Sequence, residues 1–197
     1  MRRKTSIVLT GVGGQGVVTA GNILGKAAVR GNITVYVAEV HGMAQRGGAV
    51  ISTVRMGDVT GPLLPSGTAD VILSTEPIEA LRNIAFANKK TRVITDINPV
   101  IPYTVSVGGE EYPDLKDVFH EIQTRATLCK IDALKLAKEA GSVITKNIVM
   151  LGALAATGVL PFKADILLET ILDNVPVKYK AMNKKAFDSG MKALKKA

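Results

Sequence analysis

The chain has 197 residues, of which 47% are hydrophobic but only 4% aromatic, and it carries a formal net charge of +8. This length suffices for one sizeable core, so a single domain spanning residues 1–197 is predicted. The single cysteine, Cys129, excludes an internal disulfide and also a zinc or iron–sulfur site built from this chain's own thiolates. We therefore predict no metal site and a core of aliphatic side chains, to which Cys129 belongs.

Two features of the sequence indicate a cytoplasmic protein without a membrane span. The charged N-terminus passes directly into a strand-like run, with no secretory segment between them. The longest apolar stretch, Ile148–Phe162, contains two glycines and a proline and is shorter than the roughly 18 residues that a span needs. It is predicted to be a buried helix.

The positive charge is concentrated in lysines near the C-terminus, where Met182, Ala186, Met191 and Leu194 fall on one helical face. This spacing predicts an amphipathic helix with a solvated lysine face. No aromatic platform for bases accompanies the lysines, so no nucleic-acid partner is expected. A basic interaction module stays open as a minor alternative.

Alternating strands and helices followed by a helical end predict an α/β fold, with a doubly wound, mostly parallel, Rossmann-like sheet and a helical C-terminal region. In chain order, the predicted elements are strand Ser6–Thr10, helix Val17–Arg30, strands Thr34–Ala38, Val50–Arg55 and Asp70–Leu73, a helix beginning at Ser74 or Thr75 and carrying Ile78, Leu81, Ile84 and Ala85 on one face, strand Arg92–Thr95, an exposed strand Tyr103–Val107, helix Asp114–Ala126, strand Leu128–Ile131, and helices Asp132–Ala140, Lys146–Thr157, Ala164–Asn174 and Val177–Leu194.

A glycine-rich turn joins the first strand to the first helix. Gly11, Gly13 and Gly16 have the G-x-G-x-x-G spacing, and Gly14 lies between them. Glycines let the backbone turn tightly and approach a phosphate, while the helix N-terminus attracts an anion. Glu39 follows the second strand, where a dinucleotide enzyme places its ribose-binding acid. The turn therefore favours either nucleotide binding or a purely structural tight turn.

The loop from Glu39 to Gly48 combines a titratable imidazole, an amide and a guanidinium, in His41, Gln45 and Arg46, with three glycines. Loops that follow the strands of an open α/β sheet share the edge where ligands bind. These three residues are therefore candidates for lining a binding cleft. The alternative is a surface loop in which their side chains hydrogen-bond only to the loop's own backbone. A loop with so many glycines could also lie close to a partner chain.

The segment Lys146–Gly158 is an apolar helix rich in small residues, which allow another backbone to approach closely. Packing within the chain and contact with another subunit, including a homodimer of the isolated chain, both stay open. His120 is expected at the surface. The chain shows no second domain to hold a substrate over a nicotinamide, which weakens the alternative of a stand-alone NAD(P)-binding oxidoreductase.

The run Gly11–Gly16, followed by Glu39–Gly48, resembles the gamma family of 2-oxoacid:ferredoxin oxidoreductases, and is most similar to its indolepyruvate beta subunits. Asn147–Pro161 and Asn183–Gly190 are also similar to the C-terminal pattern of those subunits. The resemblance covers nearly the whole chain. It implies an accessory subunit, inactive in isolation, of a complex that oxidatively decarboxylates 2-oxoacids such as arylpyruvates to acyl-CoA.

In that family, a larger partner subunit holds thiamine diphosphate, Mg²⁺ and the iron–sulfur clusters, and ferredoxin accepts the electrons. The resemblance implies that this chain binds no cofactor firmly. Gly11, Gly13, Gly14 and Gly16 match the family's first motif and are a candidate binding turn for the phosphates of coenzyme A or for a subunit interface. His41, Gln45 and Arg46 match the second motif and are candidates for lining the shared active-site cleft. No residue is assigned as catalytic.

Overall fold

The structure is a computed structural model that describes residues 4–42, 47–101 and 111–195. Its strands are β1 (Thr5–Val12), β2 (Val35–His41), β3 (Ala49–Met56), β4 (Val71–Ser74), β5 (Arg92–Asp96) and β6 (Thr127–Ile131). Its α-helices are α1 (Val17–Arg30), α2 (Pro77–Arg82), α3 (Leu115–Arg125), α4 (Ala133–Ala140), α5 (Lys146–Ala156), α6 (Ala164–Asp173) and α7 (Lys180–Leu194).

The six strands form one mixed sheet in the order β2-β3-β1-β4-β5-β6. Strands β1, β4, β5 and β6 pair in parallel, whereas β3 is antiparallel to both of its neighbours, β1 and β2. Helices α1 and α4 to α7 pack on one face around the main core, and α2 and α3 cover the other face. The prediction of a doubly wound, mostly parallel α/β fold is confirmed.

Strands β1 and β2 extend two or three residues beyond their predicted ends, the helix after β4 is shorter, and α7 begins at Lys180 because Val177–Tyr179 form a separate 3-10 turn. β1 continues through Gly11 to Val12, and β2 continues to His41, because β3 pairs with both strands along this whole length. Glu39 therefore lies within a strand and does not begin a loop. The helix after β4 ends at Arg82, where the Asn83 side chain donates to the Glu79 carbonyl at 2.9 Å. Ile84 and Ala85 follow in a separate 3-10 turn. The predicted strand Tyr103–Val107 lies outside the described residues.

The small residues of α5 mediate packing within the chain. A Cβ on Gly152 would overlap the carbonyl oxygen of Phe187, and a Cβ on Gly190 would overlap that of Val149. The backbones of α5 and α7 therefore touch where these two glycines face the opposite helix. Ile148–Ala155 of α5 is buried throughout, as predicted for this apolar segment.

The remaining predictions about surface and core residues are largely confirmed. Along α7, Ala186 is buried and Met191 and Leu194 pack against the core, while Lys184, Lys185 and Lys192 are exposed. His120 is exposed on α3. Cys129 is half-buried against the main core, and burial raises the pKa of its thiol. Among the described residues, no helix is both long enough and apolar enough to cross a bilayer.

Candidate functional site

The glycine turn lies at the carboxyl end of β1, where the chain enters α1. Gly14 and Gly16 have φ angles of +94° and +79°, in the left-handed region that favours glycine. Gly11 belongs to β1 rather than to the turn, and a Cβ there would overlap the Thr75 hydroxyl. Gly11 is thus required for close packing of β1 against the end of β4, whereas Gly14 and Gly16 are required for the turn itself.

The turn borders the crevice between β1 and β4. These parallel neighbours are the topological switch point of the sheet, because α1 follows β1 on one face and α2 follows β4 on the other. The Gln15 side chain fills this crevice. Its Oε1 accepts from the Val12 amide at 2.8 Å and from the Thr75 hydroxyl at 2.7 Å, and its Nε2 donates to the Thr75 carbonyl at 3.4 Å. The sequence alone did not single out Gln15, whose one signal was its place inside the glycine turn.

The ends of the second-motif loop lie beside the glycine turn. The Gly13 amide donates to the Gly48 carbonyl at 2.8 Å, and Val12 pairs with Ala49. His41 ends β2 at the same edge of the sheet, but its side chain is outside the described structure, as are Gln45 and Arg46. The structure therefore brings the two motifs together at backbone level, and the roles of His41, Gln45 and Arg46 stay predictions.

Glu39 does not occupy the position of a ribose-binding acid. It pairs with Ser52 of β3, which in turn pairs with Leu9 of β1, so β3 lies between β2 and β1. Two strand spacings, about 10 Å, separate Glu39 from β1. Its carboxylate instead accepts from Asn22 of α1 at 3.4 Å. The prediction that Glu39 occupies the position of a ribose-binding acid is therefore wrong. The antiparallel strand β3 lies between β1 and β2 and separates β2 from the switch point.

A cavity of about 990 Å³ opens next to the glycine turn, between α1 and the segments that flank α5 and α7. Gly14–Gly16, Lys26 and Lys146 line it, and none of its described lining residues is acidic. Helices α1 and α5 both begin at this cavity. Neither has a side-chain cap or an acidic residue in its first turn. Two positive helix ends and the exposed ammonium of Lys26 therefore make this cavity favourable for an anion.

Lys146 is held at the cavity by a buried ion pair. Its ammonium lies 2.7 Å from Asp96 Oδ2 and donates to the Thr75 carbonyl at 2.9 Å. The Lys146 side chain is 13% exposed and that of Asp96 is fully buried. The other carboxylate oxygen of Asp96 accepts from the Ala133 amide at 3.0 Å and from Asn98 at 2.9 Å. These bonds fix the ends of β4 and β5 to the start of α5.

A second buried acidic group lies at the N-terminus of α2, behind the crevice. Glu76 caps the helix by accepting from the Glu79 amide at 2.9 Å, and it also accepts from the Tyr112 hydroxyl. Burial and this hydrogen bond raise the pKa of Tyr112. Burial also raises the pKa of Glu79, although Arg82, 2.6 Å away, opposes the shift. None of these residues lines the cavity.

The donor set of the site suits an anion better than a metal ion. Within the described residues, no cluster of three or more His, Cys, Asp or Glu side chains could hold a metal. Cys129 lies on β6, away from the residues that line the cavity, and one thiolate is too few for a cluster.

Fold and site together define a doubly wound α/β protein with a cationic cavity at the carboxyl edge of its sheet. The chain belongs to the pyruvate ferredoxin/flavodoxin oxidoreductase family, whose profile matches residues 6–193. It is 48% identical over 196 residues to the indolepyruvate oxidoreductase subunit IorB of Pyrococcus horikoshii, a match that covers 98% of this chain and 97% of that protein. The family resemblance seen in the two motifs is thus confirmed.

Solved structures agree with this fold. The gamma subunit of a keto/oxoacid ferredoxin oxidoreductase from Geobacter sulfurreducens superposes with a TM-score of 0.72 at 24% identity, covering 98% of this chain and 99% of that one. The 2-oxoglutarate:ferredoxin oxidoreductase of Magnetococcus marinus, solved with 2-oxoglutarate, coenzyme A and succinyl-CoA bound, superposes with a TM-score of 0.76 at 24% identity. This match covers all of the present chain and 32% of the Magnetococcus chain.

Proposed function

We propose that this chain is the accessory subunit of a thiamine diphosphate-dependent 2-oxoacid:ferredoxin oxidoreductase that acts on indolepyruvate or another arylpyruvate. The full-length similarity to an indolepyruvate oxidoreductase subunit supports this assignment. The complex would convert a 2-oxoacid and coenzyme A to acyl-CoA and CO₂, with the two electrons passed singly to ferredoxin. The larger partner subunit would hold thiamine diphosphate, Mg²⁺ and the iron–sulfur clusters, which supply carbanion and electron-transfer chemistry when bound.

The contribution of this chain would be to bind and orient the anionic part of coenzyme A. The observation that carries this proposal is the cavity at which α1 and α5 both begin, each without an acidic residue in its first turn. Phosphate oxygens at Gly14 and Gly16 would meet backbone N–H groups of the α1 terminus, and the exposed ammonium of Lys26 would lie along the same wall. Gly11, in β1, and Gly13, in the glycine turn, would let the backbone lie close enough to the phosphates for these hydrogen bonds.

His41, Gln45 and Arg46 would line the cleft shared with the larger subunit. Their loop leaves the sheet beside the glycine turn, since Gly48 accepts from Gly13. A guanidinium at this edge would bind a carboxylate or phosphate with two hydrogen bonds, and an imidazole would donate one more.

The test uses the assembled complex, with acyl-CoA formation and ferredoxin reduction measured as coenzyme A is varied. We expect His41→Ala, Arg46→Ala and Lys26→Gln each to raise the KM for coenzyme A about tenfold, the loss of about one charge-assisted hydrogen bond. Lys192→Gln is the matched control, because Lys192 is an exposed lysine on α7 that does not line the cavity. Unchanged coenzyme A dependence and turnover in the His41 and Arg46 variants would disprove the assignment of the second motif.

A further inference from the structure

Exposed apolar side chains are concentrated on the two segments that precede α5 and α7, three of them in the lining of the cavity. Val143 and Ile144 precede α5, and Val177 and Tyr179 precede α7; we call these four residues the apolar rim. Ile144 is 84% exposed and Val177 is 82% exposed. The apolar rim holds four of the ten exposed large hydrophobic side chains found among the described residues. Such clustering on a soluble surface is typical of an interaction site.

The backbone presents these side chains in fixed positions. The Ser142 hydroxyl accepts from the Ile144 amide at 3.3 Å, and Thr145 donates through its own hydroxyl to the Ser142 carbonyl at 2.8 Å. On the other side, the Tyr179 amide donates to Pro176 at 2.9 Å, and Asn183 donates to the Tyr179 carbonyl at 2.9 Å. Both turns are therefore ordered before any partner arrives, which reduces the entropy lost on binding.

Cations predominate around the apolar rim, and the acid Asp173, which directly precedes the cavity-lining Asn174, lies 3.9 Å from Lys180. Lys178 lies with its ammonium 4.9 Å from the centre of the Tyr179 ring. Lys26, on the facing wall, donates to Asn174 at 2.5 Å. Among the described residues that line the cavity, cations are present and acids are absent. A complementary occupant therefore carries apolar anchors together with carboxylates, since opposite charges around an apolar centre favour association and fix its orientation.

We infer that the apolar rim is the docking surface for the larger subunit, which inserts an acidic segment with apolar anchors between Ile144 and Val177. This inference rests on the proposed function, because that function supplies the partner. Docking here would close the open side of the cavity and leave the glycine turn at the base of a site shared by two chains.

The experiment measures the dissociation constant between this chain and the larger, cysteine-rich subunit of the proposed complex, for wild type, Ile144→Asp and Val177→Asp. We expect each variant to bind at least 50-fold more weakly, because it places a carboxylate among acidic groups and removes an anchor. Leu63→Asp is the matched control, because Leu63 is 83% exposed and lies outside the cavity lining. We expect this variant to change the dissociation constant less than threefold. Circular dichroism and thermal melting of each free chain establish that the variants are folded.

A second measurement tests the charges. The association rate of the wild type should fall as salt is added, and Lys178→Glu should lower it about tenfold at low salt. If Ile144→Asp and Val177→Asp bind the larger subunit as tightly as the wild type does, the apolar rim is not the docking surface, and the proposed function stands. If the wild type binds no larger subunit at all, the proposed function itself fails. An isolated chain that dimerises through the apolar rim, with unchanged affinity for the larger subunit, would also overturn the inference.

Discussion

At the scale of single residues, the site combines exposed cations with buried acids whose partners lie far away in the sequence. Lys146 meets Asp96 and the Thr75 carbonyl, and Gln15 meets Thr75. The need for glycine at Gly14 and Gly16 could be predicted, because the turn between a strand and a helix is a local pattern. The roles of Gln15 and Lys146 could not be predicted, because each depends on a contact between residues about 60 or 71 positions apart.

Glu79 gives a prediction for the dependence of stability on pH. Burial raises its pKa above the value of about 4.3 for an unfolded glutamate, so the native state retains a proton that the unfolded state has lost. The free energy of unfolding therefore falls as the pH rises through the window between these two values. We expect Glu79→Gln to flatten this fall, as measured by urea unfolding between pH 4 and pH 8.

Glu121→Gln is the control for that prediction. Glu121 also pairs with an arginine of its own helix, Arg125, at 3.0 Å, but its side chain is 46% exposed. Its substitution removes an exposed ion pair of the same kind, and the effect of Glu79→Gln is compared with it. A slope that is equally steep in wild type and in Glu79→Gln would show that Glu79 is not the group that titrates.

At the scale of secondary structure, the crossing of α5 and α7 depends on two glycines. A Cβ on Gly152 would overlap the Phe187 carbonyl, which is backbone and cannot move alone. We expect Gly152→Ala to lower the free energy of unfolding by about 1–3 kcal/mol, the usual range for overpacking, measured by urea unfolding.

Gly61→Ala provides the comparison, because a Cβ on Gly61 would meet no atom within 4 Å. That variant should be as stable as wild type or slightly more stable, since alanine restricts the unfolded chain. Equal stability of Gly152→Ala and Gly61→Ala would mean that the two helices separate without penalty.

Most helices and strands could be predicted from local pattern, but the order of the strands could not. The hydrophobic spacing of Val50–Arg55 indicates a strand and gives no sign of its direction or neighbours. Its insertion between β1 and β2 follows from the pairing of β3 with both strands. The position predicted for Glu39 is wrong for this reason. The Rossmann strand order would put β2 directly beside β1, whereas β3 lies between them here.

At the scale of the whole molecule, assembly should be visible as thermal stabilisation. A partner that binds the native chain alone adds about 2.7 kcal/mol at a concentration of 100 Kd. For a domain of this size, this corresponds to a rise in melting temperature of roughly 5–10 °C. Differential scanning fluorimetry of the chain with and without the larger subunit measures the rise, and Ile144→Asp should reduce it while Leu63→Asp retains it. A melting temperature that does not respond to the larger subunit would contradict assembly.

The cavity takes its walls from opposite ends of the chain. Gly14–Gly16 come early, whereas Ser142–Ile148 and Asn174–Asn183 come late. On the ribosome, β1, α1, β2 and β3 are synthesised before α5 and the segment ahead of α7, so they can pair first. The cavity is therefore completed only once the segment ahead of α7 has been synthesised, and a nascent chain that has not reached it carries the glycine turn without the facing wall.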